Sequence, residues 1–324
     1  MVKAIVQDVY GSADVLELRD IARPEPGARE VLIRVRAAGV DKGVWHLMTG
    51  LPYLVRLFGY GLRKPKVPVR GREVAGVVEA VGPGVTRFSP GDEVFGTCEG
   101  SFAEYVCAKE DKVARKPSAL SFEEAAASPI SGVTALQAVR DASQVTVGQK
   151  VLILGAGGGV GSFAVQLAKA FGAEVTGVCS TAKVELVRSL GADAVVDYTK
   201  TYIAGAGKVY DLILDAAGNR PLSFLRRLLV RKGTLVIIGG EGGGKLTGGF
   251  ERSLAAPVVS LFSGRKFKGL VAKETHLDLE ALASLMEAGS VKPAVDKVFP
   301  LAEAPAAIRY LHEGRARGKV VLTI

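Results

Sequence analysis

The pattern of apolar and polar positions changes once along this chain of 324 residues. Over the first 124 residues, short alternating segments such as Val31–Ala37 and Glu73–Val81 stand between glycine and proline turns, which predicts β-strands. From about residue 150, apolar segments of strand length alternate with helical patterns, which predicts a doubly wound parallel sheet and an α/β fold. The predicted strands of this sheet are Val151–Leu154, Glu174–Val178, Ala194–Val196, Leu212–Asp215, Thr234–Ile238 and Phe267–Val271.

The end of the chain returns to a mixed pattern. A helix is predicted over Leu277–Ala288 and a second one through Arg309, with strands at Val295–Phe299 and Lys319–Ile324. We expect this tail to rejoin the β-rich domain. The predicted domains are therefore residues 1–124 with 274–324, and residues 125–273 between them. The run Glu241-Gly-Gly-Gly-Lys, which follows the fifth predicted strand of the sheet, is expected to be flexible.

A glycine-rich turn opens the alternating region. Residues 155–161 read Gly-Ala-Gly-Gly-Gly-Val-Gly and stand between the strand Val151–Leu154 and a helix predicted over Ser162–Phe171. Glycines let the backbone approach a pyrophosphate, and a helix N-terminus offers N–H groups that bind anions. We therefore predict a Rossmann dinucleotide-binding domain, with alanine at the first glycine position of the usual fingerprint. Its predicted cofactor contacts are Ala156, Gly158, Gly159, Val160 and Gly161.

The second strand of the sheet bears on the choice of cofactor. It ends at Ser180, 19 residues after Gly161, where an NAD-specific fold places an acidic side chain on the ribose 2′-hydroxyl. Here Ser180, Thr181 and Lys183 stand instead. A lysine and hydroxyl groups favour a 2′-phosphate that a carboxylate would repel. We therefore predict NADP(H); the alternative is that Lys183 is solvated and the site accepts NAD.

The formal net charge of +9 raises the question of an anionic partner. The basic residues are spread along the chain, and an anionic cofactor accounts for part of the excess. The densest group resembles no nucleic-acid-binding module, so we do not expect nucleic acid as a partner. This group consists of Arg56, Arg63, Lys64, Lys66, Arg70 and Arg72.

Three features predict a cytoplasmic location without a membrane span. No uninterrupted apolar run reaches the length of a transmembrane helix. The first residues enter a strand directly, so no signal or transit peptide is expected. The cysteines Cys98, Cys107 and Cys179 are few and scattered, which suits a reducing compartment.

Several segments resemble those of a known family. They are Gly71-Arg-Glu-Val-Ala-Gly-Val-Val, Gly91-Asp-Glu-Val-Phe-Gly, Ser131-Gly-Val-Thr-Ala-Leu, the turn Gly155–Gly161, and Gly191-Ala-Asp-Ala-Val-Val-Asp-Tyr. With the order of the parts, they make the chain resemble the medium-chain dehydrogenase/reductase superfamily over essentially its full length. The resemblance implies a β-rich GroES-like catalytic domain beside the Rossmann domain, and a homodimer. The segments Asp41–Gly61 and Leu311–Val321 are most similar to the reticulon-interacting-protein type of the quinone oxidoreductase branch.

The residues that bind catalytic zinc in this superfamily are replaced. The zinc alcohol dehydrogenases use two cysteines and a histidine, and the matching positions here are Asp41, Arg72 and Ile130. Isoleucine cannot bind zinc, and arginine is an always-protonated donor, so we predict no metal. Without a Lewis acid, reduction of an acceptor that is already electrophilic is favoured over oxidation of a simple alcohol.

The resemblance implies further site residues. Thr134 would pack on the nicotinamide, and Tyr198 and Arg317 would reach the phosphate at the adenosine end. By their position after two strands of the sheet, Ala216, Ala217, Gly239 and Gly240 should also contact the cofactor.

On the substrate side, the candidates for catalytic residues are Asp41, His46 and Tyr53. His46 could donate a proton to the reduced oxygen. Asp41 could instead pair with Lys42 or Arg72 in a structural role. The segment Leu51–Pro68 is expected either to cover the site as an apolar lid or to pack on a neighbouring domain.

The sequence thus predicts an NADPH-dependent, zinc-independent oxidoreductase that transfers hydride to a small quinone or α,β-unsaturated carbonyl. One alternative is an NAD(P)-dependent alcohol dehydrogenase with a non-metal catalytic base. Another is a member without turnover that senses nucleotides or binds RNA.

Overall fold

The computed structural model describes residues 1–203, 209–240 and 243–324. The chain divides into two compact units, here called unit 1 and unit 2. Unit 1 comprises Met1–Val133, Glu274–Gly289 and Pro293–Ile324, and unit 2 comprises Thr134–Lys273 and Ser290–Lys292. The sequence places the boundary at residue 124, whereas this division falls between Val133 and Thr134. The predicted flexible run begins with Glu241 and Gly242, which lie outside the described residues.

The strands in chain order are β1 (Val2–Val6), β2 (Glu17–Ile21), β3 (Glu30–Val40), β4 (Glu73–Val81), β5 (Glu93–Thr97), β6 (Tyr105–Lys109), β7 (Val113–Arg115), β8 (Lys150–Leu154), β9 (Glu174–Cys179), β10 (Ala194–Asp197), β11 (Tyr210–Asp215), β12 (Leu229–Ile237), β13 (Lys266–Gly269), β14 (Val295–Pro300) and β15 (Lys319–Thr323). The helices are α1 (Lys42–Thr49), α2 (Phe122–Ala126), α3 (Pro129–Gln137), α4 (Gly159–Ala170), α5 (Val184–Ser189), α6 (Leu222–Arg227), α7 (Phe250–Ser263), α8 (His276–Glu287) and α9 (Ala304–His312).

Unit 1 is built on a seven-stranded sheet with the order β14-β15-β3-β4-β5-β7, in which β6 also pairs with β3. Alternate residues of β3, namely Val31, Ile33 and Val35, point into a common apolar core, as the alternating pattern predicts. The alternating pattern of Phe102–Ala108 also predicts a strand, but the strand at this place, β6, begins at Tyr105. Phe102 is fully buried, and its N–H donates to the Arg70 carbonyl, so this segment leaves the ladder before Tyr105.

Unit 2 contains a six-stranded parallel sheet with the order β10-β9-β8-β11-β12-β13. Numbered within the unit, this is the order 3-2-1-4-5-6 of a dinucleotide-binding sheet, and the crevice of such a sheet lies outside the carboxyl ends of its strands. The predicted α/β fold with a doubly wound parallel sheet is confirmed. The predicted start of α4 at Ser162 is wrong: the helix begins at Gly159, since the chain turns directly from β8 into it.

Candidate active site

The glycine-rich turn between β8 and α4 separates packing positions from an open one. A Cβ on Gly161 would lie 2.1 Å from the Gly155 carbonyl oxygen, so this glycine permits close packing of the turn. Around a Cβ on Gly158, the one described atom within 4 Å, apart from the adjoining residues, would be the Gly155 carbonyl oxygen at 3.3 Å. Gly158 is also the N-cap residue of the twelve-residue helix α4. The turn therefore offers open space at a helix N-terminus, where N–H groups without intrahelical acceptors and the positive end of the dipole favour a phosphate.

The ends of β11 and β12 meet this turn. Gly155 adopts a φ of +78°, and a Cβ there would lie 3.1 Å from the Ala217 nitrogen. The Ala216 N–H donates to the Leu154 carbonyl at 3.1 Å, and a Cβ on Gly239 would lie 2.5 Å from the Ala216 carbonyl oxygen. Three of the predicted cofactor-contact positions, Ala216, Ala217 and Gly239, thus share one edge of the sheet with Gly158. Gly240 lies against Gly248, to whose oxygen a Cβ would be 2.9 Å.

The end of β9 carries the predicted phosphate-binding residues. Lys183 lies across the glycine turn, because a Cβ on Gly157 would be 2.7 Å from the Lys183 Cβ and 2.9 Å from its Cδ. The Lys183 N–H donates to the Ser180 carbonyl at 2.9 Å in the short turn that follows β9. Tyr198 is half exposed, and its N–H donates to the Cys179 carbonyl at 3.1 Å. Ser180, Lys183 and Tyr198 therefore gather around one strand end.

A carboxylate that the sequence pattern did not single out lies at the same place. The Thr181 hydroxyl donates to Asp197 Oδ2 at 2.5 Å, and Thr199 donates its N–H and hydroxyl to Oδ1 at 3.0 and 2.7 Å. These hydrogen bonds from Thr181 and Thr199 hold the pKa of Asp197 below its usual range, so the carboxylate is charged near neutral pH. The proximity of Asp197 to this strand end becomes apparent only in the structure, because Asp197 ends β10, which pairs with β9.

A pocket of about 280 Å³ lies beside these residues. It is bounded by Tyr198, Tyr202, Arg220 and Phe224, among others. An aromatic ring and a guanidinium are surfaces on which a purine base can stack. This pocket is therefore suited to the adenosine end of a dinucleotide.

A buried ion pair closes the carboxyl end of β11. Asp215 is fully buried; its Oδ1 accepts the Gly218 N–H at 2.9 Å, and its Oδ2 accepts from Arg252 Nη2 at 2.6 Å. The Arg252 Nε and Nη1 atoms are buried without a hydrogen-bond partner in the described part of the chain. Such groups require an acceptor, and a cofactor at this edge of the sheet would supply one. The sequence offered one indication of this ion pair, since Asp215 is an acidic residue that ends an apolar strand just before Ala216.

The two remaining predicted cofactor residues lie elsewhere. Thr134 is 8% exposed and stands within α3, at the start of unit 2. Arg317 is exposed and belongs to unit 1, where its N–H donates to Asp296 Oδ2 at 3.0 Å. The role implied for Arg317 stays a prediction.

The three positions that would hold zinc are occupied by groups with other partners. Asp41 caps α1, because its Oδ1 accepts the Val44 N–H at 2.9 Å, while its buried Oδ2 has no partner among the described residues. Arg72 lies 3.9 Å from Glu274 Oε1; burial lowers the pKa of Arg72, but Asp41 and Glu274 outweigh that effect. The Ile130 N–H donates to Glu73 Oε1 at 2.9 Å. Within the described ranges, no group of three or more metal-binding side chains occurs.

Glu73 also forms a buried ion pair with Lys319. The Lys319 ammonium donates to Glu73 Oε2 and, at 3.2 Å, to the Ser131 hydroxyl. The side chains of Glu73 and Lys319 are 0% and 2% exposed, respectively. Burial raises the pKa of Glu73, and the adjacent ammonium opposes that shift. The pair ties β4 and β15 to α3.

The side chains of His46 and Tyr53 contact different groups. His46 Nδ1 lies 2.8 Å from the Leu51 carbonyl, which can only accept, so Nδ1 carries the hydrogen. A neutral His46 therefore has no proton on Nε2, and only the imidazolium could donate from that atom. Tyr53 is 46% exposed, and the Arg56 guanidinium lies 4.9 Å from its ring centre.

Unit 1 has a pocket of about 230 Å³. It is lined by parts of α1, of the turn Arg56–Tyr60 and of the segments at residues 66–72 and 99–100. None of Asp41, His46 and Tyr53 is among its lining residues, whereas Arg72 is. Phe58 and Tyr60, from the segment predicted as a possible lid, also line it.

Comparisons with known proteins agree with this architecture. Residues 27–118 match the family described as alcohol dehydrogenase GroES-like domain, and residues 190–322 match the family described as zinc-binding dehydrogenase. The protein from Mus musculus named NAD(P)H oxidoreductase RTN4IP1, mitochondrial, is 34% identical over 365 residues, which cover 99% of this chain and 89% of the mouse protein.

Two further relatives have similar extent. The 2-methylene-furan-3-one reductase of Solanum lycopersicum is 35% identical over 97% of this chain and 76% of its own length. The structure of the quinone oxidoreductase from Coxiella burnetii superposes with a TM-score of 0.85 at 28% identity, covering 100% of this chain and 99% of that one.

The β-rich unit and the parallel sheet with its glycine turn define a dehydrogenase/reductase of two domains. The chain belongs to the medium-chain dehydrogenase/reductase superfamily, in its quinone oxidoreductase branch, and it is an oxidoreductase. In the residues that the structure describes, no helix has the length and apolar character to cross a membrane.

Proposed function

We propose that this protein is an NADPH-dependent, zinc-independent reductase of quinones or α,β-unsaturated carbonyls. The observation that carries the proposal is the edge of the unit 2 sheet, where Gly158 faces open space and Lys183 lies across Gly157. The names of the relatives support it, since they include an NAD(P)H oxidoreductase, a quinone oxidoreductase and a 2-methylene-furan-3-one reductase. A 2-methylene-furan-3-one carries an alkene conjugated to a ketone.

The cofactor would be held mainly by backbone groups. The N-terminus of α4, beginning at Gly159, would bind the pyrophosphate, and Ala216, Ala217 and Gly239 would face the remainder of the molecule. When bound, NADPH supplies the hydride. Arg252, two of whose buried nitrogens have no acceptor among the residues that the structure describes, would donate to an oxygen of the cofactor.

Recognition of the 2′-phosphate would rest on Lys183 and Ser180. Thr181 contributes less than the sequence suggests, because its hydroxyl hydrogen is directed to Asp197. Lys183 supplies a charge beside the turn, and charge-assisted hydrogen bonds to phosphate are about twice as strong as neutral ones. Charged Asp197 opposes part of this gain.

The unit 1 residues favour an acceptor that is already electrophilic. Asp41 is used as a helix cap and Arg72 lies near two carboxylates, so neither is arranged as a zinc ligand or as a base for alcohol oxidation. An enone accepts a hydride at its β-carbon, the alkene electron pair moves to the carbonyl oxygen, and solvent protonates the resulting enolate. The proton on His46 Nδ1 is held by Leu51, so His46 would act as a donor only in its imidazolium form.

We also propose that the protein forms a homodimer through α7 and β13. Four apolar side chains of α7 recur on one face and are exposed: Leu254, Val258, Leu261 and Phe262, at 66, 57, 80 and 85%. Strand β13 is the edge of its sheet, and edge strands pair readily with a second copy. Light scattering after size exclusion would show a dimer, and Leu261→Glu would yield a monomer; a monomeric unaltered protein would contradict this assignment.

A cytoplasmic location is proposed on the basis of the free cysteines.

The proposed cofactor is tested by titration with NADPH and NADH. NADPH should bind at least about tenfold more tightly, roughly 1.4 kcal/mol. Lys183→Glu should reverse the order, because it replaces the attractive charge by a repulsive one. Arg188→Glu, at an exposed cation of α5 that forms an ion pair with Glu185, is the control and should leave the ratio unchanged. Equal dissociation constants for the two cofactors in the unaltered protein would contradict the proposal.

A further inference from the structure

The pocket of unit 1 combines apolar walls with an excess of positive charge. Val44, Leu47, Val67 and Val69 supply apolar surface. Its charged lining residues are Lys66, Arg70, Arg72 and Glu99, three cations against one carboxylate. An apolar cavity with a few fixed polar groups is typical of a site for a small molecule. The charge indicates that this molecule is an anion.

Arg70 is the buried cation of this pocket, and no carboxylate of the described chain contacts its guanidinium. It is 6% exposed, and its Nη1 donates to the Leu47 carbonyl at 3.3 Å. Its Nε atom is buried without a hydrogen-bond partner among the residues described. Burial lowers the pKa of Arg70, although Tyr10 and Glu99 oppose the shift from longer range. Leaving a guanidinium buried in this way is costly unless an anion pairs with it.

Two other cations of unit 1, buried Lys319 and partly buried Arg72, have carboxylates near them. Lys319 contacts the carboxylate of Glu73, and Arg72 has Glu274 at 3.9 Å with Asp41 nearby. For Arg70, the described part of the chain provides a backbone carbonyl and no carboxylate in contact. The difference indicates that the partner of Arg70 is brought by a ligand.

We propose that this pocket binds a carboxylate of the acceptor, so that the preferred acceptor is an α,β-unsaturated carbonyl or quinone bearing an acidic group. The proposal rests on the reductase activity proposed above and narrows its substrate class. Arg70 binds the carboxylate and Arg72 adds positive potential. The valine and leucine side chains pack against the carbon skeleton. Glu99, which is exposed at the pocket, disfavours a ligand with more negative charge.

Acetylacrylate and its methyl ester provide a matched pair of acceptors. Both contain the same enone, and the ester is the more electrophilic, so any preference for the acid must come from the protein. The unaltered enzyme should show a kcat/KM for acetylacrylate at least about tenfold above that for the ester, the gain expected from one charged hydrogen bond. Arg70→Met should abolish that preference by lowering kcat/KM for acetylacrylate to about the value for the ester. Arg63→Met, at an exposed arginine outside the pocket, should change neither value.

Stability distinguishes a ligand-binding Arg70 from a structural one. Because no carboxylate of the described structure contacts the buried Arg70, removing its charge should leave the melting temperature of Arg70→Met unchanged or raise it. Arg70→Lys, which keeps the charge, should retain part of the preference for the acid. A large loss of stability in Arg70→Met that Arg70→Lys restores would show a structural role and overturn the proposal.

Binding of levulinate, the saturated product, separates this proposal from the proposed activity. Calorimetry should detect levulinate binding to the unaltered protein and a loss of about tenfold or more in Arg70→Met. If neither acceptor is reduced but levulinate binding depends on Arg70, the reductase proposal fails and the anion site stands. If acceptors are reduced but levulinate binds both proteins equally, or neither, the anion site is wrong and the reductase proposal stands.

Discussion

The two proposed binding regions of this protein are made of different parts of the polypeptide. The edge of the unit 2 sheet is formed by backbone, with Gly155, Gly158 and Gly161 close to one another in the chain. The pocket of unit 1 is formed by side chains from segments near residues 44, 58, 70 and 99. A site of the first kind needs a strand order and a turn that accepts only glycine. A site of the second kind depends on which side chains the fold brings together, and can change its ligand without changing the sheet.

The largest expected effect falls on the buried ion pair that supports unit 1. Lys319→Met leaves the fully buried Glu73 without its cation, and breaking a buried pair costs about 3–5 kcal/mol. Denaturant unfolding should show this loss, and the double variant Glu73→Gln with Lys319→Met should recover much of it. A loss below about 1 kcal/mol for Lys319→Met would show that the pair does not support this unit.

The next effect concerns the glycine turn and separates binding from packing. Gly158→Val should lower NADPH affinity about a hundredfold, roughly 2.7 kcal/mol, because the side chain enters the space assigned to phosphate. The fold should persist, since only one neighbouring atom lies within 4 Å of the new Cβ. Gly161→Ala should instead destabilise the protein, as its Cβ would lie 2.1 Å from a carbonyl oxygen. Normal NADPH binding by Gly158→Val would show that the phosphates lie elsewhere on the turn.

A smaller effect is expected from Asp197. Asp197→Asn removes a negative charge from the strand end that carries Ser180 and Lys183, so the ratio of NADPH to NADH affinity should rise about threefold at low ionic strength. Added salt should diminish the gain. A fall in the ratio would show that Asp197 assists phosphate binding by orienting Thr181.

The smallest effect concerns the cysteines, which should be poor nucleophiles. Burial raises the pKa of Cys107 to about 11, and Glu30 adds to the shift. Because the thiolate is the reactive form, the alkylation rate of Cys107 should rise with pH only towards that value. A free cysteine has a pKa of about 8.5 and therefore reacts at lower pH. Rapid labelling of Cys107 by iodoacetamide at pH near 8 would contradict the assignment.

Sequence patterns were sufficient where the determinant is local. The strands of the parallel sheet were predictable because each is a short apolar run between turns. The start of α4 was missed by three residues, because glycines are weak helix formers, yet Gly161 lies in the helix and packs closely on Gly155.

The side-chain arrangements could not be obtained in this way. His46 was a candidate because of its chemistry, but its Nδ1 hydrogen is directed to Leu51, a contact that depends on how the chain turns after α1. Arg70 was noted only as one of a basic group, and nothing in the sequence distinguishes it from exposed Arg63. Burial and the absence of a carboxylate in contact with it in the described structure make that distinction.

The central claim, that a nicotinamide-binding edge made of backbone serves a reduction without metal, is tested most directly by acceptor-dependent oxidation of NADPH. Protein dialysed exhaustively against a strong chelator should be mixed with NADPH and a quinone or enone, and the absorbance of the reduced nicotinamide followed. The account predicts a rate equal to that of undialysed protein and unchanged by added zinc. Loss of turnover on chelation, with recovery on adding zinc, would contradict it.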